Sequence, residues 1–464
     1  MTPTELGTER IGRLLFKYSL PAIIAMTASS LYNIVDSIFI GQFVGPLALG
    51  ALTVAKPFMD VCAAFGSLVG VGAGSLLAIK LGEKDIASAE KTLGNVILLN
   101  LLLGALIAIV GIAFLEPILF AFGASEATLQ MAYDYMFIIL LGNIPTHLYY
   151  GLNNMLRSSG HPNDAMYITI FAVTLNIILD PIFIITLDMG VRGAAIATVI
   201  SQCVSVLWQI MLFFRKDEVL HFHRDIWVPD LAITRKILAI GLSPFLMNLA
   251  HCLVVVIVNN QLKNYGGDLA IAAYGVINRF TFVFAMIVMG LNQGMQPVVG
   301  YNYGARQYPR VIRAFQLTAV AATAITGFVF LLSELCPELM ARIFTSDASL
   351  IALSAHALRI ANCAWLLVGF QMVTGNLFTS VGMAKKAIFL SLTRQVLFLV
   401  PLILWLPNLW GITGVWAAIP ISDTLSAVTA IVMLHIQLRR FRDYGDEIPI
   451  LENMEKYSEY DPQV

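Results

Sequence analysis

Long apolar stretches separated by short polar segments dominate the sequence. Twelve of these stretches hold about 20 or more residues, the length that crosses a bilayer as a helix. They lie near residues 14–40, 46–79, 90–114, 129–156, 162–187, 191–214, 234–262, 268–300, 309–333, 350–381, 386–406 and 411–438. Several are longer than a bilayer requires, so we expect tilted helices or helices that extend beyond the lipid. The pattern predicts an all-α integral membrane protein with twelve transmembrane helices.

The composition supports this prediction and excludes several functions. The chain has 464 residues, of which 58% are hydrophobic and 12% are charged, whereas an average soluble domain is roughly 25% charged. Its 28 Lys and Arg residues against 29 Asp and Glu residues leave no basic excess that would indicate nucleic-acid binding. Neither a phosphate-binding glycine loop, an HExxH motif nor a nucleophile–base pattern is present, so we expect no enzyme and no cofactor.

The distribution of cationic residues predicts the orientation. If the N-terminus is cytoplasmic, 21 of the 28 Lys and Arg residues lie in cytoplasmic segments. Only Arg192, Lys263 and Arg342 lie outside, and the other four lie within spans. Because cationic residues concentrate on the cytoplasmic side of membrane proteins, both termini are predicted to be cytoplasmic.

The two halves of the chain resemble each other at an offset of 222 residues. VGPLALGALTVAKPF at 44–58 aligns with GGDLAIAAYGVINRF at 266–280, and the same offset pairs Gly82 with Gly304. Six helices in each half make a parallel repeat, a design that usually places the substrate between two lobes. We therefore predict an N-lobe, a cytoplasmic linker, a C-lobe and a polar cytoplasmic tail, at residues 1–214, 215–233, 234–440 and 441–464.

Ionisable residues within the spans of the first half indicate a cation site. Asp36, Asp180 and Thr198 each lie on the order of 10 Å below the outer surface, at 1.5 Å per helical residue. Asn176 precedes Asp180 by four residues and shares its helical face. These oxygen donors suit a hard cation. Two carboxylates at one site also compete for charge, so the site could hold Na⁺, H⁺ or each in turn.

A purely structural role is the alternative for each of these groups. Asp36 and Asp180 could be satisfied by neighbouring hydroxyls and amides, but the cost of burying acids in a membrane favours function. Asn33, one turn before Asp36, is a candidate supporting residue. For other polar residues we favour structural roles, namely an ion pair for Lys56 and Asp60 and interhelical hydrogen bonds for His147 and His251.

The second half has a different set of charges within its spans. Arg279, Arg359 and Arg394 accompany a single acid, Asp423. The repeat places Leu402 or Pro401 opposite Asp180, so ion coupling is predicted in the N-lobe alone. The arginines could pair with Asp423 and backbone carbonyls, or could bind anionic groups of a substrate.

Three segments resemble a known family of transporters. SLPAIIAMTASSLYNIVDSIFIGQFVG at 19–45, NIILDP at 176–181 and GVRGAAIATVISQ at 190–202 are similar to the multidrug and toxic compound extrusion (MATE) family, in its bacterial DinF/MepA-like branch. The resemblance implies drug export driven by inward H⁺ or Na⁺, with two six-helix lobes that open alternately to each side. It also places the cation site at Asp36, Asn176, Asp180 and Thr198. The additional C-lobe acids of the NorM-like branch are missing here.

The sequence thus predicts a multidrug antiporter of the bacterial cytoplasmic membrane. We expect amphiphilic, often cationic, small molecules and the lipid bilayer as its partners, no nucleic acid, and a monomer as the functional unit. The alternative is a flippase for lipid-linked precursors of the same superfamily, for which the three intramembrane arginines would bind a pyrophosphate.

Overall fold

The computed structural model describes residues 5–215, 220–221 and 224–458, except for the side chains of residues 31–34, 224–225 and 444–458. Within these residues the chain is almost entirely helical and contains no strand. The predicted linker at 215–233 and the tail at 441–464 therefore lie partly outside the described residues. The described part of the linker includes a 3-10 helix, Arg224–Trp227, and the last helix continues through the tail to Ser458.

The first half contains six membrane-spanning units. They are α1 (Ile11–Phe39, continued as a π-helix over Ile40–Val44), α2 (Pro46–Gly82), α3 (Ile86–Ala113), α4 (Glu126–Leu141 and Asn143–Ser158), α5 (Pro162–Pro181, continued as a π-helix over Ile182–Thr186) and α6 (Gly190–Phe213). Short helices at Glu5–Thr8 and Leu115–Ala121 lie before α1 and after α3.

The second half repeats this order. A single helix, Leu231–Gly304, is broken at Gly267 into α7 (231–266) and α8 (268–304). The others are α9 (Tyr308–Leu335), α10 (Ala348–Asn362 and Trp365–Ser380), α11 (Ala384–Leu392, a π-helix over Thr393–Leu399, and Val400–Trp405) and α12 (Ile412–Ser458), with short helices at Pro337–Arg342 and Pro407–Trp410.

Nine of the described helices are long and apolar enough to cross a membrane, and the bent pair in α10 makes a tenth span. The break at Gly267 divides one of the nine into two spans. The two 16-residue helices of α4 supply the twelfth span. The predicted twelve-helix plan is therefore confirmed.

Turns between helices follow from local chemistry. The sequence predicts a polar segment at 263–267 between α7 and α8, but a single residue, Gly267, makes this turn with φ of 67°. Only glycine adopts such a conformation readily, because it has no Cβ. At the start of α3, the Asp85 side chain accepts a hydrogen bond from the Ser88 backbone N–H at 3.1 Å, which satisfies one of the free donors of the first turn.

The apolar cores show how the two halves meet. One core is shared by both halves and joins residues near the starts of α1 and α7 to the ends of α2 and α8. Two further cores lie beyond it, one formed by the first half alone and one by the second half alone. We call the side that carries the chain termini the terminal side and the opposite side the outer side. The halves therefore pack together on the terminal side and are separate lobes on the outer side.

Glycines allow this close packing on the terminal side. A Cβ added to Gly82 would collide with the carbonyl oxygen of Tyr301, and one added to Gly304 would collide with that of Ile79. Tyr301 and Gly304 lie 222 residues after Ile79 and Gly82, so the contact between α2 and α8 obeys the internal repeat. Gly241 approaches the carbonyl of Leu68 in the same way. Side chains at these positions would force the lobes apart on the terminal side.

Candidate functional site

Helices α1, α5 and α6 bring the predicted cation-site residues into the outer half of the first lobe. Pro181 has no N–H, so the helix hydrogen bond to the carbonyl of residue 177 cannot form. The chain then widens into the π-helix Ile182–Thr186, and α1 widens in the same way over Ile40–Val44. These two π-helices pack against each other. Such segments often accompany functional sites, because they change the direction of nearby groups.

Asn176 connects α5 to α6. Its side-chain amide can form hydrogen bonds with both Asp180 and Thr198 when the amide nitrogen faces Asp180. Nδ2 then donates to Asp180 Oδ2 at 3.3 Å, while Oδ1 accepts from the Thr198 hydroxyl at 3.3 Å and from the Thr198 backbone N–H at 3.2 Å. All three residues are buried. The structure therefore brings together Asn176, Asp180 and Thr198. The sequence had placed Asp180 and Thr198 at one depth, and Asn176 on the same helical face as Asp180.

Asp36 faces the same region from α1. Its side chain is 6% exposed and Asp180 is fully buried, and α1 packs directly against α5. Among the described residues, Asp36 Oδ1 has no hydrogen-bond partner. The side chain of Asn33, the predicted supporting residue, lies outside the described residues.

The charge balance of this cluster is unusual for the interior of a membrane protein. Within the described part of the chain, no Lys or Arg forms an ion pair with Asp36 or Asp180. An unpaired carboxylate buried at low dielectric is strongly disfavoured unless a proton or a cation neutralises it. Two carboxylates, an amide oxygen and a hydroxyl fit such a hard cation. The cluster has only two carboxylates, and no group of three or more His, Cys, Asp or Glu residues that could hold a metal ion occurs in the described residues.

The corresponding helices of the second lobe hold an ion pair instead of unpaired acids. In α11, Arg394 Nε donates to Asp423 Oδ1 of α12 at 2.6 Å, and the Ser422 hydroxyl donates to the Arg394 carbonyl at 2.7 Å. Asp423 is 3% exposed. The sequence left two alternatives for the arginines, pairing with Asp423 or binding anionic groups of a substrate. For Arg394 the structure shows the pairing with Asp423. Arg279 and Arg359 are exposed and form no ion pair within the described residues.

Three of the four other polar residues singled out in the spans have structural partners. Lys56 Nζ contacts Asp60 Oδ1 one turn away, as predicted, and both side chains are about half exposed. His147 Nε2 lies 3.1 Å from the carbonyl oxygen of Cys62, so the predicted interhelical hydrogen bond of His147 is confirmed. His251 is exposed on α7, and the interhelical hydrogen bond predicted for it is not found among the described residues.

Sequence reasoning missed a set of polar contacts between the lobes. Arg157, which is buried at the terminal end of α4, donates to Gln293 of α8 and, at 2.9 Å, to Asn153 Oδ1. Gln296 donates to Ser75 Oγ of α2 at 2.8 Å. These contacts reinforce the shared core on the terminal side. The sequence offered one signal for this region, the aligned pair Gly82 and Gly304.

A family profile matches the chain twice. The profile of the MatE family covers residues 21–182 and again 239–405, so both lobes carry the same pattern. The chain belongs to the MatE family. The resemblance seen in the sequence motifs and the internal repeat is therefore confirmed, and the flippase alternative is not favoured.

Curated relatives of this MatE protein are bacterial export proteins. The chain is 29% identical over 425 residues to the multidrug export protein MepA of Staphylococcus haemolyticus, covering 92% of this chain and 93% of that protein. It is 28% identical to MepA of Staphylococcus saprophyticus, covering 94% and 95%. These matches extend over both lobes.

Solved structures of MATE transporters have the same fold. An outward-facing MATE family transporter superposes with a TM-score of 0.89 at 26% identity, covering 95% of this chain and 99% of that one. The MATE multidrug transporter DinF-BH, solved in complex with a drug, superposes with a TM-score of 0.85 at 37% identity, covering 92% and 96%.

Proposed function

We propose that this protein is a multidrug antiporter. It exports amphiphilic, often cationic, organic compounds in exchange for H⁺ or Na⁺, by alternating access between two lobes. The observation that carries the proposal is the cluster at Asp36 and Asp180, which are buried in one lobe without a cationic partner among the described residues. The MepA and DinF-BH relatives, named as multidrug proteins, support the substrate class.

In the proposed cycle, the ion enters from the outer side while the lobes are separate there. Asp36 and Asp180 bind it with Asn176 and Thr198, and their neutralisation removes the cost of two buried charges. The outer ends of α1 and α5 can then pack more closely. This movement narrows the cleft, the space between the two lobes on the outer side, and releases the compound. The ion drives this change only if it binds the two conformations with different affinities.

The floor of the cleft suits planar apolar compounds. Phe65 of α2 and Phe245 of α7 contact each other with ring centroids 4.7 Å apart. Both lie one turn to the outer side of the Leu68–Gly241 contact, where the lobes begin to separate. Aromatic faces bind planar compounds of varied shape by stacking, which agrees with a broad substrate range.

The orientation of the protein completes the proposal. The 21-to-3 distribution of cationic residues supports placing the terminal side in the cytoplasm. The carboxylates are then reached from outside the cell, where a gradient of H⁺ or Na⁺ directed inward supplies the ion. The compound leaves on that same side.

The test is efflux of ethidium by the purified protein in liposomes. A Na⁺ gradient and a pH gradient are imposed in separate runs, and ethidium movement is followed by fluorescence. We expect at least one gradient to drive efflux, and the effective gradient identifies the coupling ion. If the folded protein moves ethidium under neither gradient, the antiport proposal is wrong.

A flippase for lipid-linked precursors is less well supported. That function depends on intramembrane arginines to bind a pyrophosphate, and Arg394 is already paired with Asp423. Movement of a fluorescent pyrophosphate lipid across the same liposomes, without ethidium efflux, would reverse this preference.

A further inference from the structure

A groove opens between α1 and α9 on the outside of the helical bundle, toward the terminal side. It has a volume of about 330 Å³. Its walls include Gly12, Phe16 and Ile23 of α1 and Leu317 and Ala321 of α9, and Leu291 of α8 contributes from the second lobe. The groove thus lies at a seam between the two lobes, on the side where they pack together.

The groove is lined mainly by apolar side chains, and its few polar groups already have hydrogen-bond partners. Its two polar residues, Ser19 and Thr318, have hydroxyls that already donate to backbone carbonyls. The Ser19 hydroxyl is 3.4 Å from the Leu291 carbonyl oxygen, and the Thr318 hydroxyl is 2.9 Å from that of Ala314. The groove therefore presents hydrocarbon to its occupant, and neither hydroxyl is left to favour a polar ligand.

The length and position of the groove match one leaflet of a bilayer. From Gly12 to Ile23 the helix rises about 16 Å, at 1.5 Å per residue. Half of a typical hydrocarbon core is about 15 Å. Gly12 is the second residue of α1, so the groove starts at the membrane interface on the terminal side and ends near the middle of the bilayer. An acyl chain lying along α1 would span this distance.

Cationic side chains flank the terminal end of the groove. Arg13 lies one turn before Phe16, and its side chain is 79% exposed; its Nε pairs with Glu9 at 2.9 Å, which leaves the two terminal nitrogens available. Arg313 lies one turn before Leu317 on α9 and is exposed, with no ion pair among the described residues. Glu5 is taken by Lys17 at 2.7 Å.

We propose that this groove is a binding site for an anionic phospholipid of the leaflet on the terminal side. One acyl chain lies between α1 and α9, and the guanidinium groups of Arg13 and Arg313 bind the phosphate. Arginine suits this role because its planar fork binds phosphate oxygens in pairs, and anionic headgroups at the cytoplasmic surface attract such groups. The sequence placed both arginines on the side predicted to be cytoplasmic.

Lipid binding at this place has a consequence for the conformational equilibrium. The walls belong to both lobes, so the groove keeps its shape only while the lobes pack together on the terminal side. A lipid that binds more tightly to the conformation with the lobes packed on the terminal side stabilises that conformation. The conformation in which the lobes separate on the terminal side becomes less populated. This consequence rests on the proposed alternating access, whereas the binding itself does not.

The test is native mass spectrometry of the purified full-length protein in a neutral detergent, with no ion gradient and no drug present. Phosphatidylglycerol, phosphatidylcholine and inorganic phosphate are added in separate titrations. We expect one phosphatidylglycerol to bind at least about tenfold more tightly than phosphatidylcholine, a difference of roughly 1.4 kcal/mol. Equal binding of the two lipids would overturn the proposal, as would binding of inorganic phosphate with the affinity of the lipid.

Two pairs of variants locate the site. Arg13→Gln with Arg313→Gln removes the headgroup contacts, and Arg235→Gln, an exposed arginine at the terminal end of α7, is its control. Ala321→Phe fills the groove, and Val320→Phe, at a position 70% exposed on the same helix, is its control. We expect both groove variants to lose the preference for phosphatidylglycerol and both controls to keep it. A preference that survives in the folded arginine double variant overturns the assignment, whatever the outcome of the transport experiment.

Discussion

The two lobes share one fold but differ in the charges that their equivalent helices bury. The first lobe buries acids without a basic partner among the described residues, and the second buries an ion pair. In the first lobe, α5 and α6 hold Asp180 and Thr198 together through Asn176, and α1, which packs against α5, carries the buried Asp36. In the second lobe, α11 and α12 hold Arg394 and Asp423 in an ion pair at 2.6 Å. Both lobes have a π-helix in the first helix of this pair, Ile182–Thr186 and Thr393–Leu399.

The difference shows how a repeated fold can divide its roles. The ion pair of the second lobe neutralises itself and needs no external ion, so it suits a structural element that stays the same through a cycle. In the proposed antiport, the carboxylates of the first lobe take their partner ion from solution. An exchangeable ion can therefore change the energy of the first lobe while leaving that of the second unchanged.

The largest expected effect follows from removing one carboxylate. Asp36→Asn and Asp180→Asn should each reduce gradient-driven ethidium efflux to the level of protein-free liposomes, because the site loses the charge that binds the ion. Asp134→Asn is the control, since this partly buried acid of the same lobe already pairs with Arg192 at 3.0 Å. Efflux retained by the folded Asp36→Asn protein would remove the proposed distinction between the lobes.

Breaking the ion pair of the second lobe should affect stability instead. Asp423→Asn leaves Arg394 without its counter-charge, and we expect the free energy of unfolding to fall by about 3–5 kcal/mol. Denaturant unfolding in detergent measures this change. The double variant Arg394→Met with Asp423→Leu should be much closer to the wild type, and its folded fraction should still transport ethidium. Loss of transport in a stable double variant would give this pair a direct role.

A smaller effect is expected at the hydroxyl of the cation site. Thr198→Val removes one oxygen but keeps the shape of the side chain, so the apparent affinity for the coupling ion should fall roughly tenfold. The ion dependence of the efflux rate measures this affinity. Ser201→Ala provides the comparison, because Ser201 lies on the same helix and donates to the Ala197 carbonyl at 2.7 Å. Equal effects of the two substitutions would argue against Thr198 as a ligand.

The smallest effect is expected at the half-exposed pair on α2. Lys56→Gln should change the free energy of unfolding by less than about 1 kcal/mol, since solvent screens an exposed ion pair. Efflux should remain near that of the wild type. Strong inhibition of efflux would mean that transport depends on this ion pair. The charged residues of the first lobe that act in transport would then include more than Asp36 and Asp180.

Much of the fold could be predicted from local patterns. The apolar stretches indicated the twelve helices, and Gly82 and Gly304 revealed the repeat that the packing of α2 against α8 confirms. The spacing of Asn176 and Asp180 placed them on one face of α5, and their depth indicated Thr198 as a neighbour. Whether these residues bind the coupling ion stays a prediction.

Other features could not be predicted because they depend on contacts between distant parts of the chain. Nothing in the local pattern indicated that Arg157 would pair with Gln293, which is 136 residues away. The sequence left open whether Arg394 would pair with Asp423 or bind a substrate. The polar segment expected at 263–267 is instead a one-residue turn at Gly267, because α7 and α8 extend beyond their apolar stretches.

The sequence by itself determined that the chain forms membrane-spanning helices in two related halves, and that acids lie inside the first half. Hydrophobic length and helical periodicity are local properties, and the cost of placing a charge in lipid holds for any packing. Only the tertiary structure decided which buried charges are neutralised by the protein and on which side the lobes meet. Those outcomes depend on side chains and glycine backbones from separate helices approaching within a few ångströms, which no local pattern specifies.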